Sequence, residues 1–173
     1  RASGLLTPSF GLSRQDGVQF MQPIFGVIDD STDVTLTPFY SSKSRVGSKF
    51  DFRQVYSQYS QVDSRFIDSN ESMRGDSTRG SITKGLDTTG GLVDTNRFGA
   101  YVNQNVRGDK DALIPWAMAS DIHYVGDDLF MRELQDAKIG PYNSRFATST
   151  MGVSGSFGEY VSGSVGGEYN QSL

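Results

Sequence analysis

The stretch GLLTPSFGLSRQDGVQFMQPIF, residues 4–25, contains two alternating segments joined by a short polar turn. Apolar side chains take every second position and small polar ones lie between them, which is typical of β-strands with one apolar face. Each segment also carries a proline near its middle, Pro8 and Pro23. Because proline has no N–H to donate to a β-ladder, the stretch predicts a hairpin that lacks hydrogen bonds in both strands.

The same alternation continues to the end of the chain. It predicts about nine strands, near residues 5–13, 18–28, 34–41, 48–57, 62–69, 95–106, 112–125, 144–155 and 160–171. These lengths are close to the roughly 9 to 11 residues that a tilted strand needs to cross a bilayer. No apolar run reaches the ~18 to 20 residues of a transmembrane helix.

The lengths of the connections favour a membrane barrel over a soluble sandwich. The second, fourth, sixth and eighth connections are short (DDSTD, QYSQ, RGDKD and SFGE), whereas the third, fifth and seventh are read as longer (SKSRVG, residues 70–94 and residues 126–143). The first connection (RQDG) is also tight and departs from this alternation. Outer-membrane barrels have short periplasmic turns and longer outer loops. The segment DDLFMRELQDA is expected to form at most a turn or two of helix, with Leu129, Phe130 and Leu134 on one side.

Composition agrees with this fold and excludes other classes. Aromatic residues reach 12% and glycines number 20, while hydrophobic residues are only 36%, which suits a barrel with a wet interior. The net charge of −4 provides no basic surface for nucleic acid. Without cysteine there is no disulfide or thiolate metal site in these residues.

Chemical motifs give little support to catalysis, and we expect neither an enzyme nor a cofactor. His123 is the only histidine, and no nucleophile elbow accompanies it. The acidic pairs 29–30 and 127–128 are interpreted as solvated turn residues, and no metal site is expected. The tripeptide Arg-Gly-Asp occurs at 74–76 and 107–109, which leaves open a cell-adhesive loop.

Pairing arithmetic predicts that the prolines line up. If the first hairpin turns about Gln15 and Asp16, Pro8 lies directly across from Pro23; if it turns about Asp16 and Gly17, each proline shifts by one pair. If the second turns about Asp30 and Ser31, Pro23 lies across from Pro38, which would extend the row. The loss of a ladder hydrogen bond costs more free energy in hydrocarbon than in water. An ordinary barrel would therefore avoid such a row of prolines, whereas a barrel that opens sideways would use it.

Four aromatic residues are expected at the membrane interfaces, where barrels carry girdles of such side chains. They lie close to predicted strand ends: Tyr40, Tyr56, Trp116 and Tyr124. In a soluble β-domain the same residues would belong to the core or to hairpin ends.

The first third of the chain resembles the start of the barrel in the LptD (OstA) family of outer-membrane lipopolysaccharide-assembly proteins. The match includes a Ser-Gly-apolar-x-x-Pro entry, prolines spaced by fifteen residues and a Thr-x-Thr-Pro-x-Tyr segment. It also includes a strand with the motif Gly-x-x-Phe-x-Phe-Arg, whose last residue is Arg53. Further on, WAMASDIHYVGDDLFMREL is similar to a family strand through Trp116, Val125, Asp127 and Phe130.

The resemblance implies an all-β, antiparallel, up-and-down transmembrane barrel, of which residues 1–173 form an incomplete N-terminal segment. It implies lipopolysaccharide transport into the outer leaflet of the Gram-negative outer membrane through a lateral gate. The expected gate residues are Thr7, Pro8, Ser9, Gly11 and Pro23, with Pro38 as a possible extension. The implied partners are an LptE-type lipoprotein plug and an LptA-type periplasmic bridge, the latter reached through a jellyroll domain outside these residues.

Two alternatives remain open at the level of the sequence. One is a porin or substrate-selective channel of the outer membrane, which would close its seam with complete hydrogen bonding. The other is a surface β-domain that binds cells through an Arg-Gly-Asp loop.

Overall fold

In the computed structural model the chain forms one antiparallel β-sheet. The structure describes residues 2–14, 16–73, 95–109, 114–127, 130–134, 139, 146–157 and 161–172. The strands are β1 Gly4–Leu5, β2 Ser9–Ser13, β3 Gly17–Met21, β4 Ile24–Val27, β5 Thr32–Ser41, β6 Arg45–Ser57, β7 Ser60–Asn70, β8 Asn96–Arg107, β9 Trp116–Val125, β10 Phe146–Phe157 and β11 Val161–Ser172. A short helix, α1 Phe130–Glu133, lies between β9 and β10.

Strands that are adjacent in sequence are adjacent in the sheet, as the up-and-down prediction requires. The order is β1-β4-β5-β6-β7-β8-β9-β10-β11, with β2 paired to β3 and β3 paired also to β5. Strands β1 and β2 therefore form one interrupted strand, and β3 and β4 form another, which gives the nine strand paths predicted. Among the described residues, no strand pairs with the outer side of β1, β2 or β11, so the sheet is open.

The strand boundaries agree with the alternation pattern to within about four residues, but one connection is shorter than predicted. The segment SKSRVG was predicted to be a longer loop, but β5 ends at Ser41 and β6 begins at Arg45. Arg45, which this prediction placed in the loop, begins β6, is 4% exposed and lies 3.2 Å from Glu71. Within the described residues, no helix is long and apolar enough to span a membrane.

The two faces of the sheet differ sharply in polarity. Residues paired across successive strands share a face. One such row reads Leu36, Phe50, Phe66, Ala100 and Tyr124, and it belongs to the apolar face. The next row reads Thr35, Asp51, Arg65, Tyr101 and His123, and it belongs to the polar face.

The small hydrophobic core lies against the polar face, beneath α1. Phe130 is fully buried and packs with Ile139, Ile67 and Val125. Gly99 permits this close approach, because a Cβ at that position would lie 2.5 Å from side-chain atoms of both Phe130 and Ile139. The predicted apolar side of this segment is thus confirmed for Phe130 and for Leu134, which packs against the core; Leu129 lies outside the described residues.

Candidate functional site

Both strands of the first hairpin are interrupted where their prolines occur. Strand β1 ends at Leu5 and β2 begins at Ser9, so Pro8 lies in the gap. Strand β3 ends at Met21 and β4 begins at Ile24, so Pro23 lies in the second gap. The two gaps lie side by side, and each strand loses its regular ladder at the same level of the sheet.

The register changes across this interruption. Ser9 pairs with Met21 on one side of it, and Leu5 pairs with Ile24 on the other. Residues 6–8 of the first strand therefore face only residues 22–23 of the second. The first strand thus carries one extra residue, as in a β-bulge. The prediction that Pro8 lies directly across from Pro23 was wrong, because this bulge and the pairing of Ser13 with Gly17 shift the register.

Pro38 lies beside the same interruption, on the third strand path. The pairs Met21 with Phe39 and Ile24 with Leu36 place Gln22 opposite Pro38. The Gln22 N–H donates to the Pro38 carbonyl at 3.2 Å. Pro23 was predicted to face Pro38 directly, and this was wrong by one position. The three prolines nevertheless lie within one residue of a common row.

The Gln22 side chain bridges the gap between the first two strands. Its Nε2 group donates to the Leu6 carbonyl at 2.8 Å and to the Pro23 carbonyl at 3.1 Å. The Leu6 N–H also donates to the Pro23 carbonyl, at 3.0 Å. Leu6 and Pro23 thus form a hydrogen-bonded pair in which one of the two backbone donors is missing and an amide side chain occupies its place.

The remaining predicted gate residues follow β2 and the bulge. Ser9 and Gly11 pair with Met21 and Gln19, and they lie on the face opposite to Phe10. A Cβ at Gly11 would approach Gln19 Oε1 to 2.9 Å, so the small residue leaves room for the Gln19 side chain. Thr7 lies within the bulge and belongs to neither strand.

The first strand path is an apolar edge in the described structure. Leu5 is 72%, Phe10 76% and Leu12 87% exposed. A strand edge presents backbone N–H and C=O groups that seek another strand. The arrangement is therefore suited to pairing with a further strand, next to a place where its own hairpin is weakened.

Curated relatives of the chain include LPS-assembly proteins from several bacteria. The LPS-assembly protein LptD of Xanthomonas oryzae pv. oryzae (strain MAFF 311018) is 27% identical over 164 residues, which is 94% of this chain and 17% of the relative. LptD of Paraburkholderia xenovorans is 31% identical over 129 residues, 73% of this chain and 14% of the relative. LptD of Haemophilus influenzae is 44% identical over 57 residues, 33% of this chain and 7% of the relative. No family model matches the chain.

The chain belongs to the LptD family. It spans about a sixth of the length of the Xanthomonas relatives. Together with the open antiparallel sheet and its two unlike faces, the family places the chain in an outer-membrane β-barrel, as the sequence predicted. The apolar face is suited to contact with the membrane and the polar face to the wet interior of such a barrel.

The interior of the LptD segment carries charges that neutralise one another. Arg53 Nη2 lies 2.5 Å from Asp33 Oδ2, and Arg65 contacts Asp51 on the neighbouring strand. Lys49 Nζ lies 3.8 Å from the same Asp51. These pairs make the inner wall hydrophilic without giving it a strong net charge.

A buried ionic cluster joins α1 to the inner wall of the LptD segment; it consists of Arg45, Glu71, Arg97, Asp127 and Glu133. The fully buried Arg97 guanidinium makes bonds of 2.6 and 2.7 Å to the Asp127 carboxylate and also contacts Glu133. Arg45 Nε lies 3.2 Å from Glu71 Oε1. Asp127 and α1 are thereby held against the inner wall.

The four aromatic residues that the sequence assigned to membrane girdles are all exposed. The exposed fractions are 41% for Tyr40, 60% for Tyr56, 44% for Trp116 and 51% for Tyr124. Trp116 begins β9 and Tyr56 lies next to the turn at 58–59, whereas Tyr124 lies in the row of Leu36 and Phe50. A girdle role for them stays a prediction.

Other singled-out residues have structural partners in this LptD segment. His123 Nδ1 donates to the Ile139 carbonyl and its ring lies 4.9 Å from that of Tyr101. Arg107 lies over the ring of Tyr59, with its Cζ atom 5.3 Å from the centroid. The other Arg-Gly-Asp tripeptide, at 74–76, lies outside the described residues.

Sequence reasoning missed two groups in the LptD segment: the Gln22 amide and the ionic cluster. Gln22 carried a signal, because it immediately precedes a mid-strand proline and is the nearest side chain that offers an N–H. No pattern in the sequence indicated the ionic cluster, because Arg45 and Glu133 lie 88 residues apart.

Proposed function

We propose that this segment forms one side of a lateral gate through which an outer-membrane LptD barrel releases lipopolysaccharide into the outer leaflet. The observation that carries the proposal is the side-by-side interruption of β1/β2 and β3/β4 at Pro8 and Pro23, next to the open edge of the sheet. The segment performs no covalent chemistry, and the energy for transport comes from elsewhere.

The interruption lowers the cost of parting the edge strand from its neighbour. Each backbone hydrogen bond contributes roughly 0.5–1.5 kcal/mol net in water, and more where lipid prevents water from replacing it. Pro8 and Pro23 remove two donors, and the bulge removes regular pairing around them. The edge strand is then held mainly by β2 with β3 on one side of the bulge and by two pairs of β1 with β4 on the other.

The faces of the segment fit an amphiphilic cargo. The inner wall, with residues such as Asp51, Arg65 and Asn103, accommodates a polar headgroup, and Ser9 and Gly11 continue this small, polar surface onto the edge strand. The apolar face continues into the membrane for acyl chains. The proposed partners are an LptE-type lipoprotein inside the barrel and an LptA-type bridge in the periplasm, reached through a further domain of the full-length protein.

The test is the double substitution Pro8→Ala with Pro23→Ala in the full-length protein. Both variants restore backbone donors, so the seam is expected to be stiffer and less lipopolysaccharide is expected at the cell surface, with greater permeability to large antibiotics. Pro115→Ala is the matched control, since Pro115 lies outside the seam and its carbonyl accepts from the Ser156 N–H at 3.0 Å. Wild-type surface lipopolysaccharide and permeability in the double variant would refute the gate.

A further inference from the structure

We infer that the Gln22 side chain is the substitute rung of this interruption: its amide supplies to Leu6 the hydrogen bond that Pro23 cannot donate, and so determines how firmly the edge strand is held. The inference rests on the proposed function, because it concerns the closing of the same seam. It adds a positioning residue that acts through the backbone of its neighbours.

The geometry of the Leu6 and Pro23 pair identifies the missing bond. In an antiparallel ladder, two residues of a hydrogen-bonded pair exchange both N–H···O bonds. The Leu6 N–H donates to the Pro23 carbonyl at 3.0 Å, which is one of the two. The reciprocal bond would run from residue 23 to the Leu6 carbonyl, and proline has no N–H to form it.

The Gln22 amide meets the acceptor that is left over. Its Nε2 lies 2.8 Å from the Leu6 carbonyl oxygen, a normal hydrogen-bond distance. The second hydrogen of the same NH₂ group is directed to the Pro23 carbonyl at 3.1 Å. One side chain therefore bonds both carbonyls of the defective pair.

The backbone of Gln22 is held from the other side. Its N–H donates to the Pro38 carbonyl on β5 at 3.2 Å. Gln22, on the second strand path, therefore joins the paths on both sides of it at the level of the prolines. It contacts β5 through its backbone and the edge strand through its side chain. A side-chain bond can be released by a χ rotation, without the movement of a strand, so this rung is more easily broken than a backbone rung.

The location raises the importance of the bond. Leu6 lies on the edge strand directly after Leu5, and Leu5 belongs to the row of Ile24 and Leu36 on the apolar face of the sheet. In hydrocarbon, a carbonyl oxygen that lacks a protein donor cannot form a hydrogen bond to water instead. Loss of the Gln22 amide is therefore expected to loosen the bulge more than the loss of a surface amide would.

Hydrogen exchange on the purified full-length protein with its native partner subunit, in lipid discs, tests the inference. Gln22→Met keeps the length of the side chain and removes the donors. Amide exchange in residues 4–13 is expected to become roughly three- to tenfold faster, the loss expected of one hydrogen bond. Gln22→Asn, which is one methylene shorter, is a second variant and is expected to change exchange in the same direction.

Two further variants make the result specific. Gln19→Met removes an amide from the same strand path that contacts Asp16 rather than the interruption, and its effect on residues 4–7 is expected to be negligible. Pro23→Ala restores the backbone donor to Leu6, so Gln22→Met is expected to have less than a twofold effect in that background.

The outcomes separate the inference from the proposed function. Equal exchange in wild type and Gln22→Met, or an undiminished effect of Gln22→Met in the Pro23→Ala background, would overturn the substitute rung. If the exchange results are as expected but surface lipopolysaccharide is unchanged in both Gln22→Met and the double proline variant, the substitute rung is supported and the lateral gate is refuted.

Discussion

Gln22 and Pro38 form a pair in which only one hydrogen bond exists: the Gln22 N–H donates to the Pro38 carbonyl at 3.2 Å, and Pro38 has no N–H to return the bond. The weakness of the first hairpin therefore continues into the third strand path. It is smaller there, because β5 runs unbroken from Thr32 to Ser41 and pairs fully with β6.

Pro38→Ala measures how far the weakness extends. The new N–H at position 38 faces the Gln22 carbonyl and is expected to bond to it, which would protect the amide at position 38 from exchange. Lipopolysaccharide delivery by the full-length variant is expected to fall less than in the double substitution of Pro8 and Pro23. A larger fall in Pro38→Ala than in the double variant would show that the third strand, rather than the first hairpin, controls opening.

Arg97→Met tests the ionic cluster. The change leaves the Asp127 and Glu133 carboxylates without their closest cation, and removal of one partner from a buried ion pair typically costs about 3–5 kcal/mol. Samples would be heated to increasing temperatures before gel electrophoresis. The folded band of the variant is expected to disappear at a markedly lower temperature than that of wild type. Arg53→Met is the control, because Arg53 is 50% exposed in its pair with Asp33 and is expected to matter much less. Equal drops in both variants would contradict this assignment.

Gly99→Val tests the packing of α1 against the inner wall. A Cβ at position 99 would lie 2.5 Å from atoms of Phe130 and Ile139, so these two side chains must move. Overpacking of this kind costs about 1–3 kcal/mol. Trypsin is expected to cleave within residues 126–145 faster than in wild type. Gly163→Ala, with nothing within 4 Å of the added Cβ, is expected to leave cleavage unchanged; a wild-type cleavage rate in Gly99→Val would show that α1 does not rest on this position.

The contribution of Asp29, in the turn between β4 and β5, to the stability of the protein is expected to depend on pH. The Ser31 hydroxyl and N–H donate to the Asp29 carboxylate at 2.8 and 2.7 Å, and these bonds hold the pKa of Asp29 below its ordinary value of 3.8. A lowered folded-state pKa means that the stabilisation is present above the ordinary value and is lost as the pH falls through the folded-state value. The difference in thermal stability between wild type and Asp29→Ala is therefore expected at pH 6 and is expected to shrink below about pH 4. A difference that is constant down to pH 2.5 would rule out the carboxylate as its source.

The sequence predicted the strands and their faces because both depend on a local, period-two pattern. Rows such as Leu36, Phe50 and Phe66 follow directly from that pattern once the strands are antiparallel. The exact register did not follow, since the bulge at residues 6–8 adds one residue to a strand without changing its composition. Pro8, Pro23 and Pro38 were therefore predicted at the correct level but with the wrong partners.

The ionic cluster and α1 depend on contacts between distant parts of the chain. Arg45 was assigned to the connection SKSRVG, because the alternating pattern was read as resuming only near Ser48. Its burial depends on Glu71 and Glu133, which reach it only when the strands are aligned. Such contacts leave no spacing in the sequence from which they could be inferred.

The most direct test of the central claim is the rate at which newly made, labelled lipopolysaccharide reaches the cell surface in cells whose only LptD is the full-length protein. Wild type, Pro8→Ala with Pro23→Ala, and Pro115→Ala would be compared at matched outer-membrane levels of the protein. The gate predicts a several-fold slower arrival in the double variant and a wild-type rate in Pro115→Ala. Equal rates in all three would contradict the claim that the prolines of the first hairpin weaken a seam that opens.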